Sequence, residues 1–311
     1  MSKESQVCTL CGSGDVRVVR TLKHYWNYCR KCESATRDDV PDFESTKEFR
    51  RSENTLRLHR PPMATSIGKN QLIKSDVSLL YDYMATESHV KKHREQYKVF
   101  DRFMNEVIRK YGIEVNGKSI LDVSGGNGNF IKEFEQLGAS VAMSEFNQKS
   151  VDFAIKEFGL DARRFDFNTD DISAKFDKRF NVVMMRYAIM FCNDFNRFMD
   201  QMELITQPDT TFIINGSMAP SMGAFLRSQY DDYTYLVLYS KDKVVDIMSR
   251  HGYKLTGAHE ETGKNKESYS HDMHASVRRL DWWLYRVPAI FKGVPNDPAI
   301  HSHVLVFKKQ Q

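Results

Sequence analysis

The chain lacks any apolar run near the roughly twenty residues that a membrane-spanning helix needs, so no such helix is expected. It also lacks a dominant charge: 45 Lys and Arg against 41 Asp and Glu leave a formal net charge of +4, too small by itself to demand a polyanionic partner. Cysteine is scarce, at 5 residues in 311, and the polar start MSKESQ has no apolar signal region. Export and a disulfide framework are therefore not expected, a cytoplasmic location is, and the cysteines read as metal ligands or buried thiols. Internal repeats and low-complexity tracts are absent too. What remains, 41% hydrophobic and 28% charged residues, suits one large globular domain with a small one beside it.

Four of the five cysteines fall into two identical spacings, Cys8-Thr-Leu-Cys11 and Cys29-Arg-Lys-Cys32, with 17 residues between the pairs. Two such turns presenting four thiolates to one ion are the pattern of a zinc ribbon, with a hairpin expected over Val16–Leu22 and His24–Tyr28. Four thiolates leave no open coordination position, so Zn2+ here would be structural. A segment this short cannot build its own core, and ion binding contributes on the order of 10–16 kcal/mol of folding free energy in comparable peptides. The aromatics His24, Tyr25, Trp26 and Tyr28 are either this module's small core or a nucleic-acid-binding surface. A charge-rich connector follows from Thr36 to Pro62, and then a helical pattern from about Ser75 to Tyr111.

The stretch Ser119–Phe130, SILDVSGGNGNF, reads as strand, tight turn and helix. Glycines at 125, 126 and 128 allow a ligand to lie against bare backbone, and the helix N-terminus beyond favours an anionic group. A dinucleotide fingerprint would need a third small residue where Ile131 stands. Strand Ser140–Ser144 then ends at Glu145, 19 residues past Gly126. In a doubly wound sheet this carboxylate lies at the edge where it can accept both ribose hydroxyls of an adenosine.

Together, Asp122-Val-Ser-Gly-Gly-Asn-Gly and Glu145 resemble the first motifs of class I S-adenosylmethionine (SAM) methyltransferases, with Ser124 in place of the family's first glycine. The resemblance implies a Rossmann-like α/β fold with a seven-stranded sheet, its last strand antiparallel, preceded by cap helices and a small N-terminal zinc-ribbon module. The expected division is ribbon 1–40, linker and cap 41–115, and SAM-binding domain 116–311 with an acceptor-binding insertion at about 217–240. It implies a SAM site built from Asp122, Ser124, Gly125, Gly126, Gly128, Glu145 and Phe146. Asp166 and Phe167 would hold adenine, Arg186 at the end of the strand Phe180–Arg186 would belong to the cofactor site, and Tyr81 and Tyr83 would act as lid residues. In the turn Tyr187–Asn193, where many relatives carry an acid and a histidine, this chain has Met190 and Phe191, which removes the most obvious base. Tyr187, His271 and His274 are then the residues to test for catalysis. No spaced carboxylate set suggests a catalytic Mg2+.

A ribbon joined to such a domain is similar to bacterial methyltransferases of sugars, nucleotide sugars and surface polysaccharides, which implies a small glycan-related acceptor. Two other functions fit the same residues. One is an RNA methyltransferase whose ribbon binds nucleic acid through Arg17, Arg20, Arg30 and Lys31; the other is a SAM-binding regulatory protein without catalysis, suggested by Met190 and Phe191. Oligomeric state is not legible.

Overall fold

A computed structural model describes residues 7–20, 25–37, 99–219, 237–261 and 302–310. The expected lid tyrosines Tyr81 and Tyr83, the candidates His271 and His274, the connector beyond residue 37 and most of the 217–240 insertion lie outside the described residues.

The main sheet has seven strands in the order β10-β11-β8-β7-β4-β5-β6. They are β4 (Ser119–Val123), β5 (Ser140–Glu145), β6 (Asp161–Arg164), β7 (Phe180–Arg186), β8 (Thr206–Ser217), β10 (Tyr253–Glu261) and β11 (Ser302–Lys309). β4, β5, β6, β7 and β8 pair in parallel, while β11 enters antiparallel between β8 and β10. The strand order reverses across β4, whose partners are β5 on one side and β7 on the other. At such a switch point a crevice opens at the carboxyl ends of the strands, where open α/β sheets bind ligands.

Alternating side chains send the two faces of the sheet into separate cores. Ile120, Val182, Met184 and Val304 pack with Phe103, Phe130, Ile131, Val151 and Ala154. These come from α1 (Val99–Phe103), α2 (Asn129–Lys132) and α3 (Gln148–Phe158). Leu121, Val183, Met185 and Leu305 face the other way, toward Phe195, Phe198 and Met202 of α4 (Phe195–Leu204) and Val244 and Ile247 of α5 (Lys241–Arg250). The result is helix, sheet and helix in three layers.

Several local departures have physical causes. The helix that follows the glycine turn tightens after Lys132 into a 3-10 segment, Glu133–Leu137, which Gly138 ends at φ 83°. The helical pattern before Tyr111 continues from α1 as a π-helical stretch, Met104–Arg109. Pro208 and Asp209 lie in a bulge within β8: Phe180 stands opposite Thr206 and Val182 opposite Thr211, and Thr210 Oγ1 donates to Phe180 O at 2.8 Å inside it. No helix among the described residues is long and apolar enough to cross a membrane.

The cysteine ribbon forms a second sheet of four strands, β1 (Val16–Arg20), β2 (Tyr25–Cys29), β3 (Ala35–Arg37) and β9 (Val237–Leu238). β1 and β2 form the expected hairpin, whereas β3 departs from the expectation: Thr36 and Arg37, assigned to the connector, pair with Asn27 and Trp26. The fourth comes from the far side of the sequence, with Ala35 opposite Leu238 and Thr36 opposite Val237.

Candidate functional site

The turn after β4 is built as its glycines require. Gly126 and Gly128 take φ of 63° and 81°, and Ser124 holds the same left-handed region at 60°. Ser124, where the resembled motif would have glycine, thus holds a left-handed conformation at a steric cost on the order of 1 kcal/mol. Space around two of the glycines is tight as well. A Cβ on Gly125 would lie 3.2 Å from Met143 Cβ, and one on Gly128 would lie 2.6 Å from Leu160 Cδ1 and 3.0 Å from Ala154 Cβ. Gly125 N–H donates to Ser144 O at 3.0 Å, tying the turn to the end of β5.

Glu145 closes the other side of the turn. Its Oε2 accepts the Gly126 N–H and its Oε1 the Asn147 N–H, both at 3.0 Å. Asn147 in turn caps α3, its side chain accepting from Ser150 N–H. Glu145 is only 6% exposed. That burial pushes its carboxyl up to about 7, against backbone donors at Asn147, Gly126 and Phe146, which favour the charged form. A carboxylate has about four lone-pair positions, so capacity remains for hydroxyl donors from a ligand.

Beneath the turn lies an ion pair. Arg186 Nη2 donates to Asp122 Oδ2 at 2.8 Å, and the guanidinium lies 3.4 Å from the centroid of the Phe130 ring. Asp122 is fully buried, and that burial pushes its carboxyl above the usual range although Arg186 acts in the opposite sense. Asp122 Oδ1 and Arg186 Nε have no hydrogen-bond partner among the described residues. Both atoms are buried, so one acceptor and one donor of this pair are left without a partner beneath the turn.

Past β6, Asp166 is buried and its Oδ1 accepts the Asn168 N–H at 2.9 Å, while Phe167 packs edge-on against Phe198 at 6.1 Å. β6 ends at Arg164, so this pair sits in the loop that leaves the carboxyl edge. Arg197 holds that loop by donating to the carbonyls of Phe167 and Thr169. Phe146 is half-buried, with the Arg164 guanidinium 5.7 Å from its ring centroid.

Tyr187 follows β7 directly and takes φ 51°, an uncommon conformation for a side chain of that size. Its N–H donates to Asn215 O at 2.5 Å, at the end of the neighbouring β8. Two features of this edge went unread in the sequence. Asn168 clamps the turn, its Nδ2 donating to Phe191 O at 3.0 Å and its Oδ1 accepting Asn193 N–H at 2.9 Å. His303, 8% exposed, stands opposite Gly216 at the carboxyl edge, on the strand face that Leu305 and Phe307 share. A histidine in a final strand carries no motif; only the antiparallel insertion of β11 brings it here. Cys192 is the buried thiol expected, and burial pushes it up further.

The four ribbon cysteines converge, with Cys8 Sγ to Cys32 Sγ at 3.8 Å, Cys11 Sγ to Cys29 Sγ at 3.6 Å and all four sulfurs within 4.8 Å of one another. A tetrahedral ion with metal–sulfur bonds of about 2.3 Å has sulfur–sulfur edges of about 3.8 Å, so the donor set fits Zn2+. Burial pushes the Cys8 and Cys32 thiols up, while at Cys29 burial is outweighed by backbone and side-chain hydrogen bonds, which draw it down.

Comparison with known proteins adds the following. Residues 92–258 match a family described as a methyltransferase domain. Among solved structures, a SAM-dependent methyltransferase from Mesorhizobium loti is similar at 13% identity and a TM-score of 0.47, over 66% of this chain and 97% of the other. Magnesium protoporphyrin IX methyltransferase from Synechocystis, with bound SAM, is similar at 11% identity and 0.44, over 75% and 96%. A SAM-dependent methyltransferase from Aquifex aeolicus is similar at 16% identity and 0.40, over 56% and 91%. No curated protein matches the sequence.

Proposed function

Because the chain belongs to the methyltransferase-domain family, we propose that it is a SAM-dependent methyltransferase acting on a small glycan-related acceptor, with a structural Zn2+ in its ribbon. The observation that carries the donor is the joint geometry of the glycine turn and Glu145: one carboxylate bonded to the Gly126 N–H at the sheet's switch point, with lone pairs to spare. SAM supplies an activated methyl group on a sulfonium. Glu145 receives the ribose hydroxyls, Asp166 and Phe167 the adenine, and the Asp122–Arg186 pair reads the amino-acid end. The backbone of Gly125–Gly128 lets the donor approach without a side chain between.

In-line transfer to an acceptor asks mainly for alignment and exclusion of water. Tyr187 stands at the end of β7 for that alignment. An oxygen or carbon acceptor also needs a base. Beside His271 and His274, His303 is a histidine to replace, because it shares the carboxyl edge with Gly216 and Tyr187.

The glycan preference rests on the pairing of a ribbon with this domain. One observation weighs against the RNA alternative: Trp26 and Tyr28 are buried, at 0% and 1% exposure, so these rings serve the core and are not surfaces for base stacking. The test incubates the full chain with methyl-labelled SAM and a metabolite extract, then searches by mass spectrometry for species carrying the label. Labelled sugars or nucleotide sugars with S-adenosylhomocysteine are expected. Labelled RNA would replace the acceptor class, and SAM binding with no S-adenosylhomocysteine from any acceptor pool would replace the enzyme with a binding protein.

A further inference from the structure

Met190 and Phe191, apolar residues of the turn after β7, are packed against the ribbon. Met190 is 1% exposed and shares one buried cluster with Trp26, Tyr28 and Ala35 of the ribbon and with Ala219 and Leu238; Phe191 packs against the same cluster. A second contact lies nearby. Ser240 Oγ donates to the Cys32 carbonyl at 2.6 Å, and Ser34 Oγ accepts the Ser240 N–H at 2.9 Å. Ser240 is also the cap of α5, accepting the Lys243 N–H at 3.1 Å. The knuckle that bears Cys32 is therefore bonded to the main domain, and the ribbon's core is completed by residues of the turn after β7.

That turn is a single 3-10 segment, Ile189–Phe191, whose own bonds are Phe191 N–H to Ala188 O at 2.9 Å and Cys192 N–H to Ile189 O at 3.0 Å. Three supports surround it. Tyr239 Oη donates to Cys192 O at 3.0 Å and accepts the Phe195 N–H at 3.1 Å; Asn168 clamps Phe191 and Asn193; the ribbon covers Met190. The third support is the conditional one, since a cysteine knuckle of this size depends on its ion for order.

We propose that the ribbon is a positioning element of the transfer edge: Trp26 and Tyr28, ordered by the four cysteines, seat Met190 and so fix the backbone from Tyr187 to Asn193. This rests on reading the end of β7 as the place of methyl transfer. The apolar pair at 190 and 191 is then a seat for the ribbon, and losing the seat loosens the turn while leaving the glycine turn and Glu145 in place.

Hydrogen exchange followed by mass spectrometry on the full chain tests the coupling in four samples: Zn2+-loaded, chelator-stripped, and the loaded variants Met190→Ala and Met190→Leu. Stripping and Met190→Ala should each speed exchange over 187–193 by about tenfold or more, with 119–129 unchanged and Met190→Leu close to the parent. A stripped chain that exchanges faster in the ribbon alone overturns the proposal. If stripping unfolds the whole chain by circular dichroism, loaded Met190→Ala decides: faster exchange in both the turn and residues 26–28 supports the seat, and an unchanged ribbon overturns it. SAM calorimetry on the same samples keeps the two readings apart. Coupled exchange without SAM binding would remove the enzyme assignment and leave the seat, whereas SAM binding with uncoupled exchange would do the reverse.

Discussion

Lowering the pH from about 8 to about 6 should weaken SAM binding roughly tenfold, because it protonates Glu145. Burial pushes this carboxyl from its ordinary 4.5 up to about 7. The carboxylate form, about nine-tenths of the population at pH 8, falls to about one-tenth at pH 6, and it is the form that accepts hydroxyl donors well. Binding pulls the proton equilibrium toward the charged form, so calorimetry near pH 7 in buffers of different ionisation enthalpy should register proton release. Folding responds with the opposite sign. Between 4.5 and 7 the native state holds a proton that the unfolded chain has lost, so this group's contribution, about 3 kcal/mol below pH 4.5, disappears as pH rises through 7. Glu145→Gln flattens the ligand profile. It also weakens binding at pH 8, because an amide cannot accept from both the Gly126 and Asn147 N–H groups. A parent protein whose SAM affinity is flat from pH 6 to 8, with Glu145→Gln equally tight, would refute the placement of the ribose on this carboxylate.

Three further outcomes follow from the same geometry. Gly128→Ala puts a methyl 2.6 Å from Leu160 Cδ1 at φ +81° and should cost about 2–4 kcal/mol in denaturant unfolding, with SAM binding reduced in the fraction that remains folded. Asp122→Asn leaves the Arg186 guanidinium, 14% exposed, without its counter-charge; loss of about 3 kcal/mol of stability is expected, read as a lower thermal midpoint. Cys32→Ser should release Zn2+, measured with a colorimetric chelator, and shift the exchange of residues 7–37, while equilibrium SAM binding persists.

Much of the main domain was legible because its elements are long and periodic. Gln148–Phe158 and Phe180–Arg186 end at the residues where their apolar patterns end. The cofactor turn was legible for a different reason: backbone conformations that favour glycine leave their mark in composition. The ribbon's attachment was not, since β9 is two residues long and its pairing of Ala35 with Leu238 spans most of the chain without any local signal. Met190 and Phe191 illustrate the limit most clearly. In sequence they register as missing chemistry, whereas the fold shows them filled by Trp26 and its neighbours. Asn168 and His303 stayed silent because their neighbours are set by loops and by an antiparallel insertion.

That insertion has a kinetic side. β11 fills the gap between β8 and β10, yet it is made about forty residues after β10. As the chain emerges in order, β8 and β10 each present an open row of backbone donors and acceptors, and no described strand made by then pairs with either row. Synthesis therefore holds two sticky margins apart until residues 302–309 arrive, and any pause in that interval is when the nascent chain is most exposed to strand capture by another copy.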